Sequence, residues 1–143
     1  MILNNKIPKE SMFDLVTQYY DNPVNKAFMK DATVSRHEGN SICGDDITVY
    51  LKIEDNTITA RSYDGNTSMI TTAASSFFSE LIGGKTLDEV LQMTYENTLI
   101  PEGFEVSPRR KRAGAIALLA TRNAIHEYRK DGQQDVWDNV VEL

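Results

Sequence analysis

The only thiol in the sequence, Cys43, stands in the run SICGDDITVYL, followed by Gly44 and then by the acids Asp45 and Asp46. A cysteine acts as a nucleophile or binds a soft metal as its thiolate; a nearby cation favours that form, and a carboxylate as close as Asp45 opposes it. The other role open to Cys43 is that of a small, half-buried, inert side chain, which free cysteines commonly fill. His37 and His126 lie far apart in the sequence and show no zinc-ligand spacing with the single cysteine. Any metal site must therefore draw on oxygen ligands or on a second chain. His37, in the polar stretch SRHEGN, is either a neighbour of Cys43 or a partly exposed histidine with no ligand role. Neither histidine comes with an orienting partner, so no catalytic base is defined and Cys43 is not indicated as the nucleophile of an independent enzyme.

Two further groups could do chemistry. Thr67, Ser68, Thr71 and Thr72 make a hydroxyl-rich helix start, suited to capping and, through free backbone N–H groups, to holding an anion. Arg109, Arg110, Lys111 and Arg112 follow one another in PRRKRAG. Such a run is a solvated helix start or a protein-docking patch, and Arg112 is the cation best placed to activate Cys43 if the fold brings the two together. His126 falls in the last turns of a predicted helix, where a cation complements the helix dipole and no other role is required.

With 143 residues and a mass of 16.1 kDa, the chain is the size of one domain, taken here as residues 1–143. One cysteine cannot close an intramolecular disulfide. A formal charge of −6 excludes general nucleic-acid binding, which needs a basic field, and leaves only the local run at Arg109 as an exception. No apolar run approaches the ~20 residues of a membrane span, and the N-terminus MILNNKIPKESMF lacks the pattern of a signal peptide. A cytoplasmic protein is expected.

The elements that must position these residues follow from periodicity. Helical spacing at residues 12, 13, 15, 16, 19 and 20 predicts a helix over Lys9 to Tyr20 that stops before Pro23. Period-two patterns then predict three strands: ATVSR, ITVYLKI with Ile47, Val49, Leu51 and Ile53 on one face, and TITARSY with Ile58 and Ala60 on one face. The link EDNT predicts a hairpin between the second and third. Ile70, Ala73 or Ala74, Phe77 and Leu81 form the stripe of a helix capped by Ser68 or Thr67 and ended at Gly83 and Gly84. A helix TLDEVLQMTYEN capped by Thr86, a loop between Pro101 and Pro108, and a long helix from Arg109 to Arg129 follow. The tail over 133–143 places Val136, Trp137, Val140 and Val141 on one helical face, as a docked last helix or a homodimer contact. The expected class is α+β, a small antiparallel three-stranded sheet with helices packed on one face.

Three stretches carry a family likeness. YYDNPVN, CGDDITVYLKI and SYDGNTSMITTAASSFFSELIGGKTLDE resemble, in order and spacing, segments of the NifU N-terminal family, the IscU and SufU iron–sulfur cluster assembly scaffolds. The likeness spans about residues 13–130. In that family three cysteines and an aspartate gather at one end of the sheet to hold an assembling cluster, or zinc in many SufU-type members. By this resemblance the first cysteine falls on Cys43, the aspartate on Asp45 and the second cysteine on Ser68. The third falls on Arg112 or Ala113, depending on the register used. Two of three thiolates are thus replaced. With Arg112 in the third position, Asp45 and Arg112 are expected to pair and plug the former metal pocket.

The resemblance implies a role in iron–sulfur cluster assembly, with a cysteine desulfurase or another assembly protein as partner and Cys43 as acceptor of sulfur or metal. One thiolate and one carboxylate are too few for a stable site, so a cluster, iron or zinc would be held only transiently or bridged by two chains. The alternative is a degenerate, metal-free paralogue that binds or regulates a partner protein.

Overall fold

The computed structural model describes residues 10–42 and 44–143. The predicted first helix, α1, runs Glu10–Asp21; Lys9 and Cys43 lie outside the described residues. Val16 is buried and Met12, Leu15 and Tyr19 pack against the core, whereas Phe13 and Tyr20 are exposed. The strands β1 (Val34–Asn40), β2 (Asp45–Glu54) and β3 (Thr57–Asn66) form an antiparallel sheet in the order β1-β2-β3. The β2–β3 hairpin forms because Asp55 and Asn56 take φ of 51° and 60°, the left-handed pair that a two-residue turn between twisted strands demands and that Asp and Asn tolerate.

In β2 the expected alternation holds, with Ile47, Val49, Leu51 and Ile53 all buried. β3 departs from it. The register shifts between Lys52 and Ile53: Ile53 faces Ile58, but Lys52 faces Ala60. One extra residue in a strand inverts which face every later side chain occupies. Ala60, expected beside Ile58, therefore shares the outer face with Lys52. Arg61 and Tyr63 instead join Leu51 and Val49 on the inner face. The guanidinium of Arg61 is satisfied there by the Ser79 carbonyl oxygen, 2.6 Å from its Nε.

The inner face is covered by α2 (Met69–Leu81) and α5 (Lys111–Arg129), and α1 lies on the far side of α2. This is an α+β fold. Because α2 is enclosed by α1, α5 and the sheet, every residue from Thr71 to Ser79 is buried rather than a single stripe; its small Thr, Ala and Ser side chains allow close approach on all sides. The free edge of β3 is partly covered by the chain after α1, with Tyr63 donating its N–H to the Asn25 carbonyl oxygen (2.9 Å) and accepting from the Ala27 N–H (2.8 Å). Such cover removes a template for strand pairing.

TLDEVLQMTYEN, expected as one helix, is two short ones, α3 (Leu87–Val90) and α4 (Tyr95–Thr98). Each carries its own capping box: Thr86 with Glu89, and Thr94 with Asn97. The second start signal competes with continuation of the first helix and wins.

The long helix α5 is entered through a 3-10 turn at Pro108–Arg110. It ends on Lys130, whose φ is 52°. His126, expected to need no partner, is buried. Its Nδ1 lies 2.8 Å from Asp131 and its Nε2 3.1 Å from Asp135, and Arg122 Nε reaches the same Asp135 oxygen at 2.8 Å. This clip turns the tail back so that α6 (Trp137–Val140) lies on α5, with Val140 and Val141 in the core and Val136 exposed. The tail is a docked segment at those two valines.

The hydrogen bond from His126, together with the Gln133 N–H, holds the Asp131 carboxyl below its ordinary pKa. A carboxyl depressed on folding stabilises the protein above its unfolded pKa, and that contribution is lost as pH falls through the folded one. Asp131→Asn is expected to lower the Tm at neutral pH. Its Tm should then fall less steeply than that of the parent below about pH 4, as thermal melts across pH 2–7 would record.

Candidate functional site

The site lies where β2 begins. Before it, the chain reverses through Ser41, Ile42 and Gly44, with Gly44 at a φ of 73° and its N–H on the Asn40 carbonyl oxygen at 2.7 Å. Glycine enters this left-handed region without steric cost. Across the hairpin, Gly65 has a φ of 137°, and a Cβ there would lie 2.0 Å from the Asp46 carbonyl oxygen. Only glycine permits this approach, and it carries residues 66–68 over the start of β2.

Asp45 is 4% exposed. One of its carboxylate oxygens accepts the Ser68 N–H at 2.8 Å; the other accepts the Thr71 hydroxyl at 2.5 Å and the Ser68 hydroxyl at 3.4 Å. Ser68 occupies the N-cap position of α2, but its side chain makes no capping bond. The expected hydroxyl cap is thus replaced by a carboxylate from β2. An anion is the stronger choice, since it satisfies an orphan N–H and meets the positive end of the helix dipole. Thr67 and Thr72, expected to share in this helix start, bond to each other at 2.6 Å.

Ser68 and Ala113 line one pocket of about 400 Å³ together with Ile42, Ile70, Arg109 and Arg110. Of the two residues weighed for the third position, Ala113 is therefore the one beside Ser68. Arg112 lines a neighbouring depression of about 300 Å³ with Ile42, Pro108, Arg109 and Leu143. Its guanidinium lies 5.8 Å from the centre of the Trp137 ring. The expected Asp45–Arg112 pair does not form: the Asp45 oxygens are taken by α2, and Arg112 is turned to the tail. His37 is exposed and pairs with Asp46, which lies diagonally across the β1–β2 ladder, opposite Gly39. Cys43 is outside the described residues, while Ile42 before it is a pocket wall.

The donor set decides what such a pocket can hold. Zinc and iron–sulfur clusters take thiolates, imidazoles and carboxylates. Here the wall offers a hydroxyl, apolar groups and two guanidiniums, and Asp45 behind it is already engaged. Among the described residues no three His, Cys, Asp or Glu side chains converge as a metal site. These residues do not fit a zinc ion or cluster held by one chain. Thr71, read as part of the hydroxyl-rich helix start, meets the Asp45 carboxylate there; sequence reasoning missed Ile42, Ile70, Arg109 and Arg110 as pocket walls. Adjacency to the marked positions was the only available signal for Ile42 and Ile70.

A small antiparallel sheet backed by helices is the fold of solved NifU-like proteins. A nitrogen-fixing NifU-like protein (N-terminal) of Brucella abortus superposes with a TM-score of 0.68 over 85% of this chain and 99% of that one, at 17% identity. The model of the NifU-like N terminal domain matches residues 12–135. The chain belongs to that family. It is 33% identical over 124 residues to the iron-sulfur cluster assembly scaffold protein IscU 1 of Archaeoglobus fulgidus, covering 85% of this chain and 80% of that protein. It is 28% identical over 80 residues to the zinc-dependent sulfurtransferase SufU of Bacillus subtilis, covering 56% and 54% of the two chains.

Asp45→Ala would leave the Ser68 N–H and the Thr71 hydroxyl without their acceptor. A loss of about 2 kcal/mol in unfolding free energy is expected from urea denaturation. Ser68→Ala, which removes no capping bond, should cost well under half of that.

Proposed function

We propose that this protein works in iron–sulfur cluster assembly as a scaffold-type member of its family that takes sulfur, or briefly a metal ion, on Cys43 and holds no cluster as a single chain. The observation that supports this reading is the pocket wall: Ser68, matched to the second family cysteine, and Ala113, one of the two residues weighed for the third, line one pocket and neither bears a thiol. Cys43 is the residue assigned to the incoming sulfur or metal; Asp45, the other retained family position, has its oxygens engaged by Ser68 and Thr71. The partner is a cysteine desulfurase or another assembly protein, and the setting is the cytoplasm. Among the described residues no helix is long and apolar enough to cross a membrane.

Sulfur delivery needs only one thiol. The terminal sulfur of a desulfurase cysteine persulfide is attacked by the Cys43 thiolate; a new S–S bond forms on Cys43, the old one breaks, and the desulfurase cysteine leaves as thiolate. A cluster would require a second copy and its own Cys43. A second reading, a metal-free module that binds or regulates a partner through Arg109–Arg112, is favoured by the engagement of Asp45 with α2.

The protein incubated anaerobically with a cysteine desulfurase and cysteine should gain one sulfur atom by intact mass, and Cys43→Ser should gain none. Reconstitution with iron and sulfide, or with zinc, should leave the monomer far below one metal per chain. Stoichiometric metal lost in Cys43→Ser would sink the cluster-free reading. Neither sulfur nor metal on the parent protein would leave the binding module as the function.

A further inference from the structure

The charge at the pocket is opposite to what a metal site needs. In a chain with 21 acids and 15 lysines and arginines, Arg36, Arg122 and Arg129 each find a carboxylate. Arg109, Arg110 and Arg112 form no ion pair or side-chain hydrogen bond with any described residue, and Lys111 reaches only the Glu142 carbonyl oxygen at 2.8 Å. Arg112 Nε is moreover buried with no partner among the described residues. These cations crowd the start of a 19-residue helix, with no acid in its first turn and no side-chain cap. The dipole already makes that end positive, so the arrangement costs stability; among the described residues the Trp137 ring beside Arg112 and the Glu142 carbonyl oxygen at Lys111 offset it, and no carboxylate does. Arg109 and Arg110 both border the 400 Å³ pocket, whose other walls are Ile42, Ile70, Ala113 and Ser68. Two acids stand close by without being walls: Asp45, whose oxygens are spent on Ser68 and Thr71, and Glu105, which lines the adjoining pocket with Ile70 and Arg110.

We infer that this pocket binds a small organic anion bearing a phosphoryl group. Two planar guanidinium forks present more paired donors than the two oxygens of a carboxylate can accept, and the three terminal oxygens of a phosphoryl group serve both. The isoleucines and the Ala113 methyl suit an apolar body behind that group. The inference is independent of any role of Cys43 in assembly.

The test is a titration of the full-length, isotopically labelled protein with phenyl phosphate, inorganic phosphate and benzoate, followed by amide chemical shifts at physiological ionic strength. Phenyl phosphate should give saturable shifts at Ser68, Ile70 and Ala113 and bind about tenfold more tightly than benzoate. Inorganic phosphate should shift the same amides more weakly, separating the phosphoryl contribution from that of the apolar body. The exposed pair Arg109→Lys with Arg110→Lys keeps the charge but loses the forks, and should weaken phenyl phosphate about tenfold. Arg109→Ala with Arg110→Ala should abolish the shifts while amide dispersion stays native. Sulfur transfer to Cys43 is read by intact mass and this binding by amide shifts, so failure of the sulfur-acceptor reading leaves this result unaffected. Shifts confined to Arg109–Arg112 and equal for the three ligands would mean ionic screening only. That result, or the absence of saturable shifts, would overturn the inference.

Discussion

The carboxylate of Asp45 joins the sheet to the helices, and the rest of the structure depends on that junction. A carboxylate at 4% exposure is tolerated only when donors surround it, and its donors all come from the first turn of α2. Three local features must agree to deliver them: the reversal before β2, the close backbone approach at Gly65, and a helix that starts at Met69. Once α2 is held there, it serves as the central layer, with α1 on one side and the sheet and α5 on the other. Its run of small side chains lets neighbours approach it closely on all sides.

The same junction settles what the pocket can do. An aspartate that offers its oxygens to a metal cannot also hold a helix N-terminus, and here the helix has both oxygens. The wall in front of it carries Ser68 and Ala113, which donate no thiolate, and Arg109 and Arg110, which repel cations. The lack of soft ligands on this wall and the presence of two arginines act in one direction: the wall favours an anion over a cation.

The tail bears on this through Arg112. The clip of His126, Asp131, Asp135 and Arg122 turns the chain back along α5, and Trp137 then lies against the Arg112 guanidinium. A cation held over an aromatic face in this way is drawn from any carboxylate on the pocket side. Arg112 and Asp45 thus belong to separate interactions although the resemblance placed them at one site.

Much of this was legible in the sequence, because it rests on local periodicity. Alternation marked β2, the Asp55–Asn56 turn marked the hairpin, and spacing marked α1, α2 and α5; the order of the family motifs marked Cys43, Asp45, Ser68 and either Arg112 or Ala113 as candidates. Local signals failed where a neighbour in space made the choice. The extra residue in β3 put Arg61 and Tyr63 inside in place of Ala60, and a second capping box divided α3 from α4. His126 read as a dipole partner with no other role because the acids it bonds lie beyond the helix end, in a tail whose path only packing determines. By itself the sequence determined the elements, the family and the lack of thiols, all of which depend on residue type and spacing. Tertiary structure alone decided that Asp45 caps a helix and that two arginines line the pocket, because hydrogen-bond partners and charge fields are set by distance in space.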